Sequence, residues 1–535
     1  MRGWEGGGLV TGVRGTPPGP PPVSVKIPPN GNTPATGRAT TKTGNARTVD
    51  WELGVPPDPE DDPGEAAHQE MPDDERVLRR GQLESQPLGE RFGREHLRNR
   101  FIYAREIGWH QWDGTRWKRG HEDDVISEAH KFVIKLVKQM LDDEADDGLI
   151  KSMLRYRDIS NLVKLVRAAR TVPALVVSAD QLDACPGLLN CTNGTVDLRS
   201  GRLLTHDPRR LITKTTGVDY RPAARHQDWA RALTAIPDDQ TSRWLQTYLG
   251  SGVTGETDRD APVTFHKGLG ENGKSTVIGA VVAAAGEFAV MVPDKLLSGA
   301  ENGHETVWMP LRGARLAYLE ELPEEHVLPV ARIKKLASTP QITAREIGKN
   351  NVTWDATHIL IVATNYFPKV SETDHGTWRR LAMIDYPVRF TGAAKDPRLK
   401  SRLRSGKAQR EAVLTWLVEG ARRWYESGGD HGTLPEAVRT TTTEWRHEGD
   451  EIGKFLAERV EVTGQAGHRI TTADLLEQFN ARIEANRHRP WSDTKLGQRL
   501  RAHHFVTEND SVTYDRGPRN RLPTGLTGVR WVSWT

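Results

Sequence analysis

A glycine-rich run near the middle of the chain has the residue types and the spacing of a phosphate-binding loop. Residues 268–275, GLGENGKS, fit the P-loop pattern G-x-x-x-x-G-K-[ST] in full. Glycines let backbone N–H groups turn inward around phosphate oxygens, and a helix that begins at the lysine directs its positive end at the same anions. The pattern therefore predicts a site for a nucleoside triphosphate.

Each polar residue of this phosphate loop has an expected role. Lys274 would reach the β- and γ-phosphates, and the Ser275 hydroxyl would bind Mg²⁺. The residues expected to contact the nucleotide are Gly268, Gly270, Asn272, Gly273, Lys274, Ser275 and Thr276.

Two apolar runs downstream end in polar residues that could complete a hydrolytic site. RLAYLEEL contains Glu320 and Glu321 after its apolar core, where the first carboxylate can hold Mg²⁺ and the second can orient and deprotonate an attacking water. HILIVATN ends in Asn365, whose amide can hydrogen-bond the γ-phosphate or that water. Solvated side chains at ordinary strand ends are the alternative. The position of the acidic strand after the phosphate loop favours catalysis.

A pair of arginines, Arg379 and Arg380, lies after a loop and before another strand-like run. An arginine in such a place can reach the nucleotide of a neighbouring subunit and stabilise charge in the transition state. A surface pair or a structural ion pair is the alternative.

The elements that must position these residues are predicted around them. A strand-like run, APVTFHKG, precedes the phosphate loop, and a helix-like run, TVIGAVVAAAG, follows it. Residues 261–390 alternate apolar strands with helical stretches, a pattern that indicates a parallel sheet covered by helices. The expected fold class is therefore α/β.

Three further regions flank this segment. Residues 1–92 are rich in Pro, Gly and acidic residues and predict a disordered arm. Residues 93–225 predict a mixed α/β domain, with a hairpin where Trp109, Trp112 and Trp117 flank an Asp-Gly turn and with further turns at two glycines, Gly194 and Gly201. Residues 448–535 predict three helices followed by a β-hairpin, a winged-helix-like arrangement suited to DNA binding. A solvated face of these basic helices is the alternative.

Bulk composition limits where the protein works and what it binds. The chain has 74 basic and 71 acidic residues, so any basic surface must be local. No long apolar run could span a bilayer, and the first residues lack the apolar core of a signal peptide. The two cysteines, Cys185 and Cys191, fit reduced thiols better than a zinc site. A water-soluble, cytoplasmic protein is expected, in the host cytoplasm if a phage encodes it.

The order of the motifs resembles that of the superfamily 3 helicases. The phosphate loop, the double-acidic strand, a basic turn, the Asn-terminated strand and the Arg-Arg pair all fall between residues 268 and 380. Residues 334–381 are similar to the branch found in primase-helicases of phages and plasmids and in poxvirus D5-type NTPases. Residues 188–220 resemble the domain that precedes that ATPase.

The resemblance implies an AAA+-like ATPase core, at residues 226–430, that hydrolyses ATP with Mg²⁺ at the subunit interfaces of a ring, commonly a hexamer. A basic hairpin would line the channel and grip single-stranded DNA. By position it is TAREIGKNNVTW, with Arg345, Lys349 and Asn350 at its tip. An ordinary charged hairpin is the alternative.

The implied partners are single-stranded and forked DNA, other copies of the chain, a separate primase and host replication proteins. Many relatives carry a primase module, and the sequence shows no evident one.

Three interpretations of the function follow. The first is a DNA-translocating ATPase that serves replication of a phage, plasmid or integrated element. The second is an origin-binding or loader protein for which ATP is only an assembly switch. The third is a P-loop enzyme acting on a small molecule, which would leave the hairpin and the tail unexplained. Glu321 favours the first over the second, because a switch can keep Lys274 and lose the catalytic acid.

Overall fold

In the computed structural model, the described residues are 80–256, 261–293, 296, 305–322, 327–328, 333, 336, 340–345, 351–370, 375–485, 490–507, 509–515 and 524–532. All of them belong to one unit, Val77–Thr535. The predicted arm up to residue 79 lies outside the described residues.

The first module packs four helices against a small sheet. The helices are α1 (Ser85–Phe92), α2 (Glu122–Asp142), α3 (Asp147–Leu154) and α4 (Ile159–Ala169). The strands are β1 (Phe101–Ala104), β2 (Gly108–Trp112), β3 (Trp117–Arg119) and β4 (Val176–Val177), in the order β3-β2-β1-β4. Trp112 pairs with Trp117 across the Asp-Gly turn, so the predicted hairpin is present.

Helical structure begins before residue 92, the predicted end of the arm. Helix α1 buries Leu88 and Phe92 completely. It packs so closely on α4 that a Cβ added at Gly89 would lie 2.4 Å from the Cβ of Ala168. The disorder prediction was therefore wrong for residues 85–92, because its composition rule missed a short apolar face at the end of a polar region.

A three-stranded antiparallel sheet follows, made of β5 (Leu188–Cys191), β6 (Gly194–Asp197) and β7 (Arg202–Leu204). The turns at Gly194 and Gly201, where φ is positive, lie where the sequence predicts them. Leu189 and Val196 share their hydrophobic core with helices further along the chain, so the core does not divide at the predicted boundary of 225. Cys185 and Cys191 are both free thiols.

The central region holds the predicted parallel sheet. Its strands and the shorter ones beside it are β8 (Val263–Lys267), β9 (Ala289–Met291), β10 (Leu316–Leu319), β11 (Val327–Leu328), β12 (Gln341–Ala344), β13 (Val352–Asp355), β14 (Ile359–Thr364), β15 (Lys369–Val370) and β16 (Leu381–Asp385). The five-stranded sheet has the order β16-β8-β14-β10-β9, and every neighbouring pair in it is parallel.

Helices cover both faces of this sheet. They are α5 (Gln227–Leu233), α6 (Asp239–Gly252), α7 (Lys274–Ala285), α8 (His375–Trp378), α9 (Leu399–Ser405), α10 (Lys407–Glu426) and α11 (Glu436–Glu448). Successive residues of β14 face opposite sides, so Ile361 joins one core and Val362 the other. This two-sided burial explains why the residues of the central strands are predominantly apolar.

Two packing details concern the region around the parallel sheet. Helices α6 and α10 cross where a Cβ added at Gly250 would lie 2.3 Å from the backbone of Gly420, so glycine permits the close approach. Helix α11 lies beyond the predicted limit of 430, yet its Trp445 is buried against Phe265 and donates a hydrogen bond to the Pro368 carbonyl at 2.7 Å. The region therefore reaches residue 448.

The tail contains the three predicted helices, α12 (Glu451–Arg459), α13 (Thr472–Ala485) and α14 (Asp493–Ala502), and the short α15 (His504–Thr507). Its strands are β17 (Val460–Val462), β18 (Arg469–Thr471), β19 (Thr513–Asp515), β20 (Gly525–Thr527) and β21 (Val529–Trp531). Antiparallel pairing gives the order β18-β20-β19. The sequence analysis missed β17 and β18, which lie between the first two of these helices.

Candidate functional site

The phosphate loop joins β8 to α7 in a conformation that depends on its glycines. Gly270 and Gly273 have φ angles of +95° and +80°, which other residues rarely adopt. A Cβ added at Gly268 would lie 1.6 Å from the side-chain nitrogen of Asn272. Glu271 also has a positive φ, of +53°, so the loop holds a non-glycine residue in the left-handed region.

Lys274, the first residue of α7, is buried with its ammonium group among oxygen acceptors. Its Nζ donates to the Thr364 carbonyl at 2.5 Å and to the Asn365 Oδ1 at 2.9 Å. Burial lowers the pKa of Lys274, and the charge of nearby Glu321 opposes that shift. The Lys274 side chain therefore links the start of α7 to the carboxyl end of β14.

A hydrogen-bonded relay extends from Lys274 to the predicted catalytic acid. The Asn365 Nδ2 donates to the Glu321 Oε1 at 2.9 Å, so one amide joins the cation to the carboxylate. The Tyr366 hydroxyl donates to the Leu322 carbonyl and ties the segment after β14 to the segment after β10. This hydrogen bond joins the residues that follow Asn365 and Glu321, so it holds the backbone beside each of these two polar side chains.

Sheet order explains why these residues meet. Strands β8, β14 and β10 are consecutive neighbours, and all three run in the same direction. Their carboxyl ends therefore lie along one edge, where open parallel sheets commonly bind ligands. Glu320 also follows β10 directly and is exposed at that edge, as is Glu321.

The residues present fit a triphosphate with Mg²⁺. Asn272 is 5% exposed, and its Nδ2 has no hydrogen-bond partner, which leaves a buried donor within the loop. No group of three His, Cys, Asp or Glu side chains suited to a metal occurs in the described part of the chain. Mg²⁺ needs no such cage, since it usually binds one or two protein ligands together with phosphates and water. Ser275, half-buried in the first turn of α7, and Glu320 are suitable ligand types.

A buried histidine, His266, lies two residues before the phosphate loop begins at Gly268. His266 on β8 hydrogen-bonds the Tyr386 hydroxyl through Nδ1 at 3.0 Å, and burial lowers the pKa of His266 to about 3. The ring is neutral at physiological pH, so it adds no second cation beneath Lys274. Sequence reasoning missed this residue, because one histidine in an apolar strand carries no positional signal.

The structure does not bring the two arginines to this site. Arg379 and Arg380 precede β16, and Leu381 pairs with Val263 at the start of β8. Five-residue β8 spans roughly 13 Å at about 3.3 Å per residue, so the arginines lie at the opposite edge of the sheet from the phosphate loop. Arg379 is exposed, whereas Arg380 is half-buried and donates to the Gly376 carbonyl at 3.2 Å.

The predicted channel hairpin is present in part. Strands β12 and β13 pair antiparallel from Gln341 with Asp355 to Ala344 with Val352. Arg345 is exposed directly after β12. Lys349 and Asn350 lie outside the described residues.

Sequence reasoning also missed a strap that crosses the phosphate loop. The strap is residues 386–398, after β16. Its Lys395 pairs with Glu271 at 2.6 Å, and the Phe390 N–H donates to the Glu271 carbonyl at 2.9 Å. More than a hundred residues separate these partners in sequence, and no motif marks the strap.

Comparison with known proteins gives one family match and several distant relatives. Residues 90–246 match the model of the family described as D5 N terminal like. The chain is 25% identical over 395 residues to "Putative primase C962R" of African swine fever virus (strain Badajoz 1971 Vero-adapted), with 69% of this chain and 40% of the relative covered. It is 20% identical over 396 residues to "Putative helicase L207/L206" of Acanthamoeba polyphaga mimivirus, covering 70% and 39%.

A third relative is "Primase D5" of fowlpox virus (strain NVSL), 22% identical over 296 residues, with 50% of this chain and 37% of the relative covered. Among solved structures, the apo A form of the NrS-1 C-terminal region aligns with a TM-score of 0.45 at 10% identity, over 80% of this chain and 95% of that chain. The chain spans about 40% of the length of the first curated relatives.

The family match and the names of the relatives support a relation to the D5-like primase-helicases of large DNA viruses. No described helix is long and apolar enough to cross a membrane.

Proposed function

We propose that the chain is an ATP-driven DNA helicase or translocase of the superfamily 3 type, which acts in replication as a homo-oligomeric ring, commonly a hexamer. The observation that carries the proposal is the relay of Lys274, Asn365 and Glu321 at the edge of the sheet where the phosphate loop begins. A cradle for phosphates, a cation and a carboxylate base are the parts that phosphoryl transfer to water requires.

The geometry supports distinct roles in hydrolysis. Lys274 would exchange its contacts with Thr364 and Asn365 for oxygens of the β- and γ-phosphates. Ser275 and Glu320 would hold Mg²⁺, which neutralises charge on the phosphates when bound. Asn365 would then orient Glu321. The Glu321 carboxylate would take one proton from the water whose oxygen attacks the γ-phosphorus, as the bond to ADP breaks.

Two further parts of the chain would bind DNA. The hairpin of β12 and β13 would place Arg345, Lys349 and Asn350 against the phosphates of a single strand. The tail would bind duplex DNA through α14, where Lys495 and Arg501 are both exposed. We propose the tail as a winged-helix-like domain because α13 and α14 are followed by β19 and β20, which pair antiparallel in the sheet β18-β20-β19.

A strand-displacement assay tests the function. The purified chain with ATP and Mg²⁺ should displace the labelled strand of a forked DNA that carries either a 3′ or a 5′ tail, and the productive tail gives the direction of travel. ATP hydrolysis without displacement of either fork would favour the loader interpretation, in which ATP only controls assembly.

The same forks test the hairpin with a matched pair of variants. Lys349→Ala should retain hydrolysis without DNA and lose both stimulation by single strands and fork opening. Lys138→Ala, on helix α2, serves as the control and should match the wild type. Unchanged stimulation in Lys349→Ala would exclude the hairpin from DNA contact.

The arginines supply a test of ring assembly. Because Arg379 lies at the edge opposite to its own phosphate loop and is exposed, we expect it to serve the nucleotide of a neighbouring subunit. When a quarter of the subunits carry Arg379→Ala, about one-fifth of the activity should remain if one such subunit stops a hexamer, against about three-quarters for independent subunits.

Arg380→Ala provides the comparison in these mixing experiments. The contact of Arg380 with the Gly376 carbonyl indicates a local structural role, so its effect should follow the mutant fraction in proportion. A proportional response for Arg379→Ala as well would show that neither arginine acts across an interface.

A further inference from the structure

A cavity of about 170 Å³ adjoins the phosphate loop on the side of α5 and the strap. Gly273 and Thr276 form its wall at the start of α7. The facing walls are apolar and come from Ala232, Ala235, Phe390 and Leu399. The cavity therefore begins where the phosphate cradle ends.

Gly273 separates the phosphate loop from the cavity and has no side chain to fill the space between them. A Cβ added at Gly273 would lie 2.7 Å from the Cβ of Ala235 and 3.2 Å from the Phe390 ring. The ring is thus held against the N-terminus of α7, and it is only half-buried. A flat aromatic surface is available beside the place where phosphates would bind.

Charged groups fix the outer rim. Arg231 on α5 donates to the Ala394 carbonyl at 2.8 Å and pairs with Asp396 at 3.4 Å. Arg402 on α9 pairs with the same Asp396 at 2.8 Å, and this hydrogen bond holds the pKa of Asp396 below its usual value. The strap is therefore tied to two helices, and the rim stays in place without a ligand's help.

We infer that this cavity binds the base of the nucleoside triphosphate, with the Phe390 ring as its stacking surface. The inference rests on the proposed function, because it requires the phosphates in the loop. Apolar walls suit the faces of a heteroaromatic ring. An aromatic side chain such as Phe390 packs against another aromatic ring in an offset-stacked or edge-to-face arrangement. The mixed charges of the rim suit polar ring edges better than a further phosphate.

The same walls predict which bases bind best. A purine would bury more apolar area in the cavity than a pyrimidine would, and the binding free energy becomes more favourable as more apolar area is buried. The wild type should therefore bind ATP and GTP several-fold more tightly than UTP and CTP. The Glu271–Lys395 pair joins the phosphate loop to the strap, so base and phosphates are held by one connected unit.

The test compares ATP with inorganic tripolyphosphate, which has the phosphates and no base. Both are titrated calorimetrically with Mg²⁺ against the full chain. Ala394 is exposed and lines the cavity, so Ala394→Trp should fill it from the strap without disturbing the core. Ala393 is equally exposed and does not line the cavity, so Ala393→Trp is the matched control.

We expect Ala394→Trp to weaken ATP binding about ten-fold or more, to leave tripolyphosphate binding unchanged, and to abolish the preference for purines. Phe390→Leu should give the same pattern more weakly, and Ala393→Trp should match the wild type. Wild-type affinity for ATP in Ala394→Trp would overturn the inference, as would an equal loss for tripolyphosphate. Absence of tripolyphosphate binding in the wild type would instead contradict the phosphate site itself.

Discussion

Replacing Lys274 with alanine should reduce ATP hydrolysis by about a hundred- to a thousand-fold, the loss expected when one preorganised electrostatic contact is removed from a reaction site. Lys274 is 6% exposed and directs its Nζ at the carboxyl ends of β8 and β14, where the phosphate loop begins. No other lysine of the described chain is in the loop or at the start of α7. Steady-state phosphate release with saturating ATP measures the effect.

Two comparisons make that result specific. Lys407→Ala removes an exposed ammonium that pairs with Asp219 at 2.9 Å on the surface, and it should hydrolyse ATP normally. Circular dichroism should show the same helical content for both variants, since the Lys274 change also leaves the Thr364 carbonyl without its donor. Normal turnover in folded Lys274→Ala would remove the phosphate loop from the mechanism.

The sequence predicted the central sheet because its physics is local to each strand. Within RLAYLEEL and HILIVATN, the expected strands form over Leu316–Leu319 and Ile359–Thr364, and every residue of both is buried, as strands covered on both faces require. Parallel strands placed side by side put their carboxyl ends together, so Glu321 and Asn365 meet as consecutive motifs suggested. Motif order thus predicted a spatial relation.

Relations between distant segments were not predictable in this way. The strap meets the phosphate loop through Glu271 and Lys395, and neither residue belongs to a periodic pattern. The place of Arg379 depends on the direction and register of β16, which only pairing with β8 fixes. Helix α11 and the start of α1 were missed because a few buried side chains, among them Trp445 and Phe92, outweigh their polar surroundings.

Glu321→Gln should separate ATP binding from ATP hydrolysis. Glutamine keeps an oxygen that can accept from the Asn365 Nδ2, so the relay should keep its shape while the site loses its base. The turnover number should fall by about 10²–10⁴, the usual contribution of a general base, while affinity for ATP stays near the wild-type value. Single-turnover hydrolysis and calorimetric titration measure the two quantities separately.

Glu320→Gln is the matched control, since it removes one negative charge from the neighbouring position. If Glu320 holds Mg²⁺, this variant should need more Mg²⁺ and recover most of its activity when the ion is raised, whereas Glu321→Gln should not. If raised Mg²⁺ restored the activity of Glu321→Gln instead, Glu321 would be the Mg²⁺ ligand and Glu320 the base. Normal hydrolysis in Glu321→Gln would leave the relay without a base at Glu321. The loader interpretation would also gain if hydrolysis proved dispensable for DNA loading, because a switch needs ATP to bind and a translocase needs it to be consumed.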